Sequence, residues 1–127
     1  MNGCRDRSDD CHMHYNGLTS AEAERLAILA EECAEVIQAI GKILRHGYEN
    51  YHPDGGPTNR KRLETELGHV SAATMMMRAN ADVDKRRILA YCKEKRSRIG
   101  KYSHHQILPM GGERRYGNDY ERDDNDD

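Results

Sequence analysis

Branched aliphatic side chains are confined to one stretch of this chain, and that confinement bounds what can fold. Of eighteen Leu, Ile and Val residues, sixteen lie between Leu18 and Gly100; only Ile107 and Leu108 fall beyond. They make up only ~14% of the chain, under the roughly 20% below which strongly charged chains stay disordered. The net charge, however, is only -2, so the disorder signature is incomplete. The chain reads as a polar N-terminal arm (1–17), a folding domain (18–106) and a polar C-terminal segment (107–127). The last ends in Asp123, Asp124, Asn125, Asp126 and Asp127, the composition of a solvated tail. With no Phe and no Trp, a large aromatic core is excluded, and the pattern leaves no room for a β-sandwich. The uncharged run Leu67–Met77 is too short to cross a bilayer. No apolar leader segment is visible, and the expected location is the cytoplasm.

Cysteines stand at 4, 11, 33 and 92, with no CxxC pair. In a reducing compartment they are expected to be free thiols. Cys4, Cys11, His12 and His14 offer metal-ligand chemistry, but their spacing matches no zinc module, and a plain polar arm is the simpler reading.

The folding unit reads as three helices and an all-α class. The first starts at Thr19, with Glu22 three residues on, the signature of a capping box. Apolar residues recur at Leu26, Leu29, Cys33, Val36, Ile37, Ile40 and Leu44, which is helical spacing, and Gly47 ends it. Pro53, Gly55, Gly56 and Pro57 break the chain next. The second helix spans about Asn59 to Ala79 on a stripe of Leu63, Leu67, Val70, Thr74 and Met77. Asn80 and Asp82 form a turn, and Asp82 or Asp84 caps a third helix carrying Ile88, Leu89, Cys92 and Ile99. Gly100 is expected at its C-terminal stop.

Several charged residues interrupt these stripes. At about 100° per residue, Glu32 falls at the stripe edge of the first helix, Glu35 about 60° further round and Glu31 about 40° beyond that. On the second helix Glu66 takes the edge position, with His69 three residues later. Residues at i and i+3 are neighbours on a helix surface. Two such helices packed antiparallel would bring Glu32, Glu35, Glu66 and His69 together. Carboxylates beside an apolar interface are costly unless paired or bound to a cation, and gathered acids repel. Oxygen ligands suit Mg²⁺ or Mn²⁺, and a histidine favours Mn²⁺. The competing reading pairs these acids with Arg or Lys on a solvated face.

From Lys85 to Lys101 the third helix holds eight basic residues and one acid, Glu94. In projection Lys95 falls within its apolar stripe, with Arg98 beside it. Beside a metal site such cations suit phosphate oxygens. Otherwise they are snorkelling side chains or a nucleic-acid patch, the latter disfavoured by the net acidity of the rest of the chain.

These residues also carry a resemblance. Glu31-Glu32-Cys33-Ala34-Glu35 followed by Glu66-Leu67-Gly68-His69 resembles the EExxE…ExxD signature of MazG-like all-α nucleoside triphosphate pyrophosphohydrolases, phage members included. AILAEECAEVIQAIGKILRHG, RLETELGHVSAA and CKEKRSRIGKYSHHQ resemble that family's first, second and closing helices, over roughly residues 18–106. One departure stands out: His69 occupies the position of the family's last Asp. The resemblance implies hydrolysis of a nucleoside triphosphate between its α- and β-phosphates, with Mg²⁺ or Mn²⁺ held by Glu32, Glu35, Glu66 and His69. Glu35 or Glu31 would accept the proton of the attacking water, and Lys95 would neutralise charge on the phosphates. Lys93, Lys95, Arg98 and Tyr102 would bind substrate. It further implies a preference for (d)GTP, as in the MazZ-type branch, or else a house-cleaning hydrolase of non-standard nucleotides. It also implies a helical hairpin plus third helix forming a four-helix-bundle-like core completed in a homodimer or homotetramer, with no membrane and no stable nucleic-acid partner.

Two other classes compete. Glu66-x-x-His69 is formally half of a di-iron carboxylate motif, although such sites need two of these pairs plus two further Glu. A non-enzymatic helical adaptor would use the basic third helix for DNA or a protein partner, and would leave Glu32 and Glu66 without a role. The thin apolar content independently favours burial against other subunits.

Overall fold

The computed structural model describes residues 15–106. Cys4, Cys11, His12 and His14, and the acidic C-terminal segment 107–127, lie outside the described residues. Within them the fold is all-helical, in the order α1 (Ser20–His46), α2 (Asn59–Ala79) and α3 (Lys85–Tyr102). The chain divides after Val83 into two compact units, the first holding α1 and α2, the second α3.

α1 begins where the local chemistry requires. The Thr19 hydroxyl accepts from the Glu22 backbone N–H, and the Glu22 carboxylate accepts from the Thr19 N–H at 2.7 Å. That reciprocal pair satisfies two donors the helix cannot and holds the Glu22 carboxyl below its ordinary range, the Thr19 backbone N–H being the chief cause. α1 ends at Gly47, whose φ of 84° is a conformation L side chains rarely adopt. Thr58 caps α2 and Asp84 caps α3 through their side-chain oxygens.

α1 and α2 form an antiparallel hairpin. Its seam is a seven-residue repeat on both helices. On α1 the covered positions include Glu22, Arg25, Leu29, Glu32, Val36, Ala39 and Ile43; on α2 they include Asn59, Leu63, Glu66, Val70, Ala73 and Met77. Alternating steps of three and four are the signature of helices that keep one face on a partner. The seam differs from the stripe expected on α1. Ile37 is 70% exposed and Leu44 82%, and Leu26 and Ile40 are also exposed. The apolar spacing of α1 supports two adjacent faces, and α2 covers only the one where Ala39 permits close approach. On α2, Leu67 is likewise on the open side.

The two ends of the hairpin are fastened differently. At the loop end, the buried Asn59 donates its side-chain amide to the Gly47 carbonyl at 3.0 Å, while the Asn59 and Arg60 N–H groups donate to Asn50 and Tyr48 carbonyls. Arg60 also stacks over the Tyr48 ring at 4.4 Å and pairs with Glu49 at 2.6 Å. At the far end, α2 closes in a Schellman arrangement. The Asp82 N–H donates to Met77 O, and the Ala81 N–H to Arg78 O. Ala81 takes the left-handed position, φ 59°, that glycine usually fills. The turn delivers Asp82 onto α1, where it accepts a forked pair of bonds from Arg25, one of them 2.8 Å. Asp82 is therefore the far-end clamp, and the cap of α3 is Asp84 alone.

In the second unit α3 runs through Gly100 to Tyr102 and stops at Ser103, whose N–H still donates to Ile99 O. The expected stop at Gly100 does not occur. A helical glycine costs about 1 kcal/mol relative to Ala but does not by itself terminate a helix.

Candidate metal centre

Glu32 and Glu35 lie one turn apart on α1, and Glu66 and His69 one turn apart on α2. Antiparallel packing faces the two pairs across the seam. One potential ligand atom from each of the four lies within 4.8 Å of all the others. His69 Nδ1 stands 3.1 Å from Glu66 Oε2 and 3.2 Å from Glu32 Oε2. Glu32 and Glu66 sit in the seam itself, about one-fifth exposed, rather than at its edge as the helical projection expects. Projection places a residue relative to other apolar residues, whereas packing on α2 decides which line is the centre.

Two features of this cluster bear on whether it could hold a cation. First, Glu32 Oε2 is shut off from water and has no hydrogen-bond partner. His69 Nδ1 carries at most one proton, and its hydrogen bond goes to Glu66. An orphaned buried carboxylate oxygen is the costly state that burial rules forbid unless something charged completes it. Second, the Glu35 carboxyl is held above its ordinary range. The main cause is a hydrogen bond with the Glu66 carboxyl, which requires a proton between them, followed by the Glu66 charge, burial, and the charges of Glu32 and Glu31. No basic group is among the causes of this shift.

The donor set fits a hard divalent ion. Three carboxylates and an imidazole match Mg²⁺ or Mn²⁺ better than Zn²⁺ or an iron–sulfur cluster.

The remaining expected site residues are placed differently. Glu31 is exposed and reaches the cluster only as a charge acting on Glu35. On α3, Lys93 and Lys95 are exposed. The turn position that is partly covered belongs to Arg96 rather than Lys95, one residue round from the projection. Arg98 pairs with Glu94 at 3.5 Å, and Arg98 and Lys101 both lie over the Tyr102 ring, at 5.9 and 5.4 Å.

Sequence reading missed a basic group in the first unit. A small hollow of ≈ 50 Å³ is lined by Glu35 and Glu66 together with Lys42, Asn59 and Arg62. The last three also line a larger cavity of ≈ 320 Å³ against the α1–α2 loop. The signal was available: Lys42, Arg45, Arg60, Lys61 and Arg62 flank both ends of a loop rich in Gly and Pro.

Compared with protein-family models, with curated proteins and with solved structures, the chain matches none. Cys33 and Cys92 are free thiols, and no helix among the described residues is long and apolar enough to cross a membrane.

Proposed function

We propose that this chain is a metal-dependent nucleoside triphosphate pyrophosphohydrolase. The observation that carries the reading is the four-residue cluster across the α1–α2 seam, with its orphaned Glu32 oxygen. The motif resemblance supplies the reaction class. Glu32, Glu35, Glu66 and His69 would hold Mg²⁺ or Mn²⁺. Such ions, when bound, withdraw charge from triphosphate oxygens and make water a stronger nucleophile at neutral pH. Glu35, beside the other three residues of the cluster, would accept the proton of the attacking water. Exposed Glu31, one residue before Glu32, is the alternative acceptor. In the reaction water adds to the α-phosphorus, the α–β bridging P–O bond breaks, and pyrophosphate leaves with the electron pair. The phosphate-binding groups expected from the resemblance, Lys93, Lys95, Arg98 and Tyr102, all belong to α3.

The same reading carries its finer parts. The hairpin's open aliphatic face, with Ile37 and Leu44 largely exposed, supports completion of a four-helix-bundle-like core by a second copy. A preference for (d)GTP, action on a cytoplasmic nucleotide pool, and the house-cleaning alternative rest on the resemblance alone.

The test is a product assay. The protein is incubated with each NTP and dNTP and Mg²⁺ or Mn²⁺, and products are separated by anion exchange. Monophosphate plus pyrophosphate is the expected result. Diphosphate plus orthophosphate, or no turnover with any metal, overturns the proposal. Iron in the purified protein, with an oxo-bridge absorption band, would instead favour the di-iron reading.

A further inference from the structure

The acids and bases around the α1–α2 hairpin are separated rather than neutralised. Glu35, Glu66, Lys42 and Arg62 all line the small hollow, yet no ion pair joins the two acids to the two bases. Lys42, Arg45 and Arg62 have no carboxylate partner among the described residues. All three line the ≈ 320 Å³ cavity, which shares Lys42, Asn59 and Arg62 with the hollow, together with His46, Tyr51 and His52. That volume lies at the lower end of the range of about 300–1,000 Å³ typical of small-molecule sites.

The position of Arg62 is built into the fold. It stands one turn inside α2, partly covered, and its guanidinium approaches the loop at Gly56. A Cβ at Gly56 would lie 3.2 Å from the Arg62 Nη2 atom, and Gly56 has φ +107°. The guanidinium therefore lies close against the loop backbone at Gly56. Asn59 is buried and tied to Gly47, which fixes the start of α2 against the end of α1. The N-terminal turn of α2 adds the positive end of a helix dipole to the same wall.

Carboxylates and cations that line one hollow without pairing are what a complex of a divalent ion with an oligophosphate would neutralise together. We propose that the Lys42–Arg45–Arg62 cavity binds the pyrophosphoryl end of the substrate, the β- and γ-phosphates that leave as pyrophosphate. This rests on the hydrolase reading for its biological meaning but not for its chemistry: the ligand class is a condensed phosphate. Arg62 supplies a planar fork to two phosphate oxygens, and Lys42 and Arg45 act chiefly as point charges. Three cations match the charge of pyrophosphate better than that of orthophosphate.

The probe is inorganic pyrophosphate, titrated calorimetrically into the full chain in EDTA so that metal plays no part. Wild type is expected to bind. Arg62→Gln and Lys42→Gln are each expected to weaken binding roughly tenfold or more, the usual consequence of losing a charged hydrogen bond. Arg62→Lys, which keeps the charge but loses the fork, is expected to fall between, and circular dichroism checks that each variant folds. Glu66→Gln is expected to bind at least as tightly as wild type, and orthophosphate at least roughly tenfold more weakly than pyrophosphate. No binding by wild type, equal binding by the Arg62→Gln/Lys42→Gln double variant, or equal affinity for orthophosphate overturns the proposal. If nucleotide turnover is absent but this pattern holds, the hydrolase reading falls and the phosphate site stands. If turnover proceeds with unchanged KM and unchanged pyrophosphate inhibition in Arg62→Gln, the phosphate site falls and the hydrolase reading stands.

Discussion

Replacing Glu66 by Gln should reverse its effect on stability when a divalent ion is added. Without metal, Glu32, Glu35 and Glu66 present three repulsive pairs within a cluster 4.8 Å across; Glu66→Gln leaves one. The glutamine is nearly isosteric, and its carbonyl oxygen can still accept from His69. In EDTA at neutral pH the variant is therefore expected to melt no lower than wild type. The raised Glu35 sets the same sign. A carboxyl whose folded pKa lies above its unfolded value contributes stability below the unfolded value and loses it as pH rises through the folded one. The Glu35 contribution in the metal-free protein should thus shrink as pH climbs past the ordinary carboxylate range, opposite in sign to those of Glu22 and Asp82.

Metal inverts this order. Binding at one site, with free ion at a hundred times Kd, adds about 2.7 kcal/mol to the folded state. For a unit of this size about 1 kcal/mol moves Tm by 4–8 °C, so wild type should gain about 10–20 °C. Glu66→Gln loses one of three anionic ligands and should gain only a small fraction of that. The assay is thermal denaturation by circular dichroism for both proteins, in EDTA and across a Mn²⁺ titration. A Glu66 with only a structural role would make the variant less stable in both conditions. Parallel shifts in wild type and variant, or no Mn²⁺ shift in wild type up to millimolar concentrations, would refute the metal centre.

Three further outcomes follow from other parts of the hairpin. Ala81→Gly should stabilise the protein by about 1 kcal/mol, because Ala81 holds the left-handed position of the Schellman turn at φ 59° and glycine adopts it without the Cβ penalty; a lower denaturation midpoint in urea would contradict this. Arg25 holds the Asp82 carboxyl below its ordinary range through the hydrogen bond between them, so this clamp contributes above the unfolded carboxylate pKa and is lost as pH falls through the folded one. The acid limb of a pH–Tm curve should accordingly flatten in Asp82→Asn, and an unchanged limb would show the clamp to be idle. Ile37→Glu combined with Leu44→Glu should shift sedimentation toward monomer if the open face of α1 seats a second copy; an unchanged oligomer would place the interface elsewhere.

Local chemistry was legible in the sequence wherever one turn of chain suffices. The capping box at Thr19 and Glu22 and the helix stop at Gly47 are each settled within four residues, and both stand as expected. The pairing of Glu32 with Glu35 and of Glu66 with His69 was legible for the same reason, since i,i+3 neighbours are fixed by helix geometry alone. The seam was not. α1 carries one apolar line through Leu29 and Val36 and another through Leu26, Ile37 and Leu44, and only the tertiary contact with α2 selects between them. Gly100 misled because a glycine can end a helix or be carried through it, and nothing local distinguishes the two. The phosphate-site candidates were hidden because Lys42, Arg45 and Arg62 meet only once the loop folds Asn59 back onto Gly47.

The thin core and the candidate centre are one fact seen from two sides. In a hairpin shaped only by packing, the seam positions between Leu29 and Val36, and between Leu63 and Val70, would carry leucine or isoleucine. This chain places Glu32 and Glu66 there. Glu32 Oε2 is buried there without a hydrogen-bond partner, and no large side chain among the described residues is fully buried. Acids at the centre of a two-helix seam remove apolar burial and add repulsion, so this hairpin has little stability to spare. A divalent ion in the cluster and a cover over Ile37 and Leu44 would each offset that deficit by binding only the folded form. Stability, metal occupancy and self-association should therefore rise and fall together, and a chain that stays equally stable with its ion stripped and its α1 face opened would break that linkage.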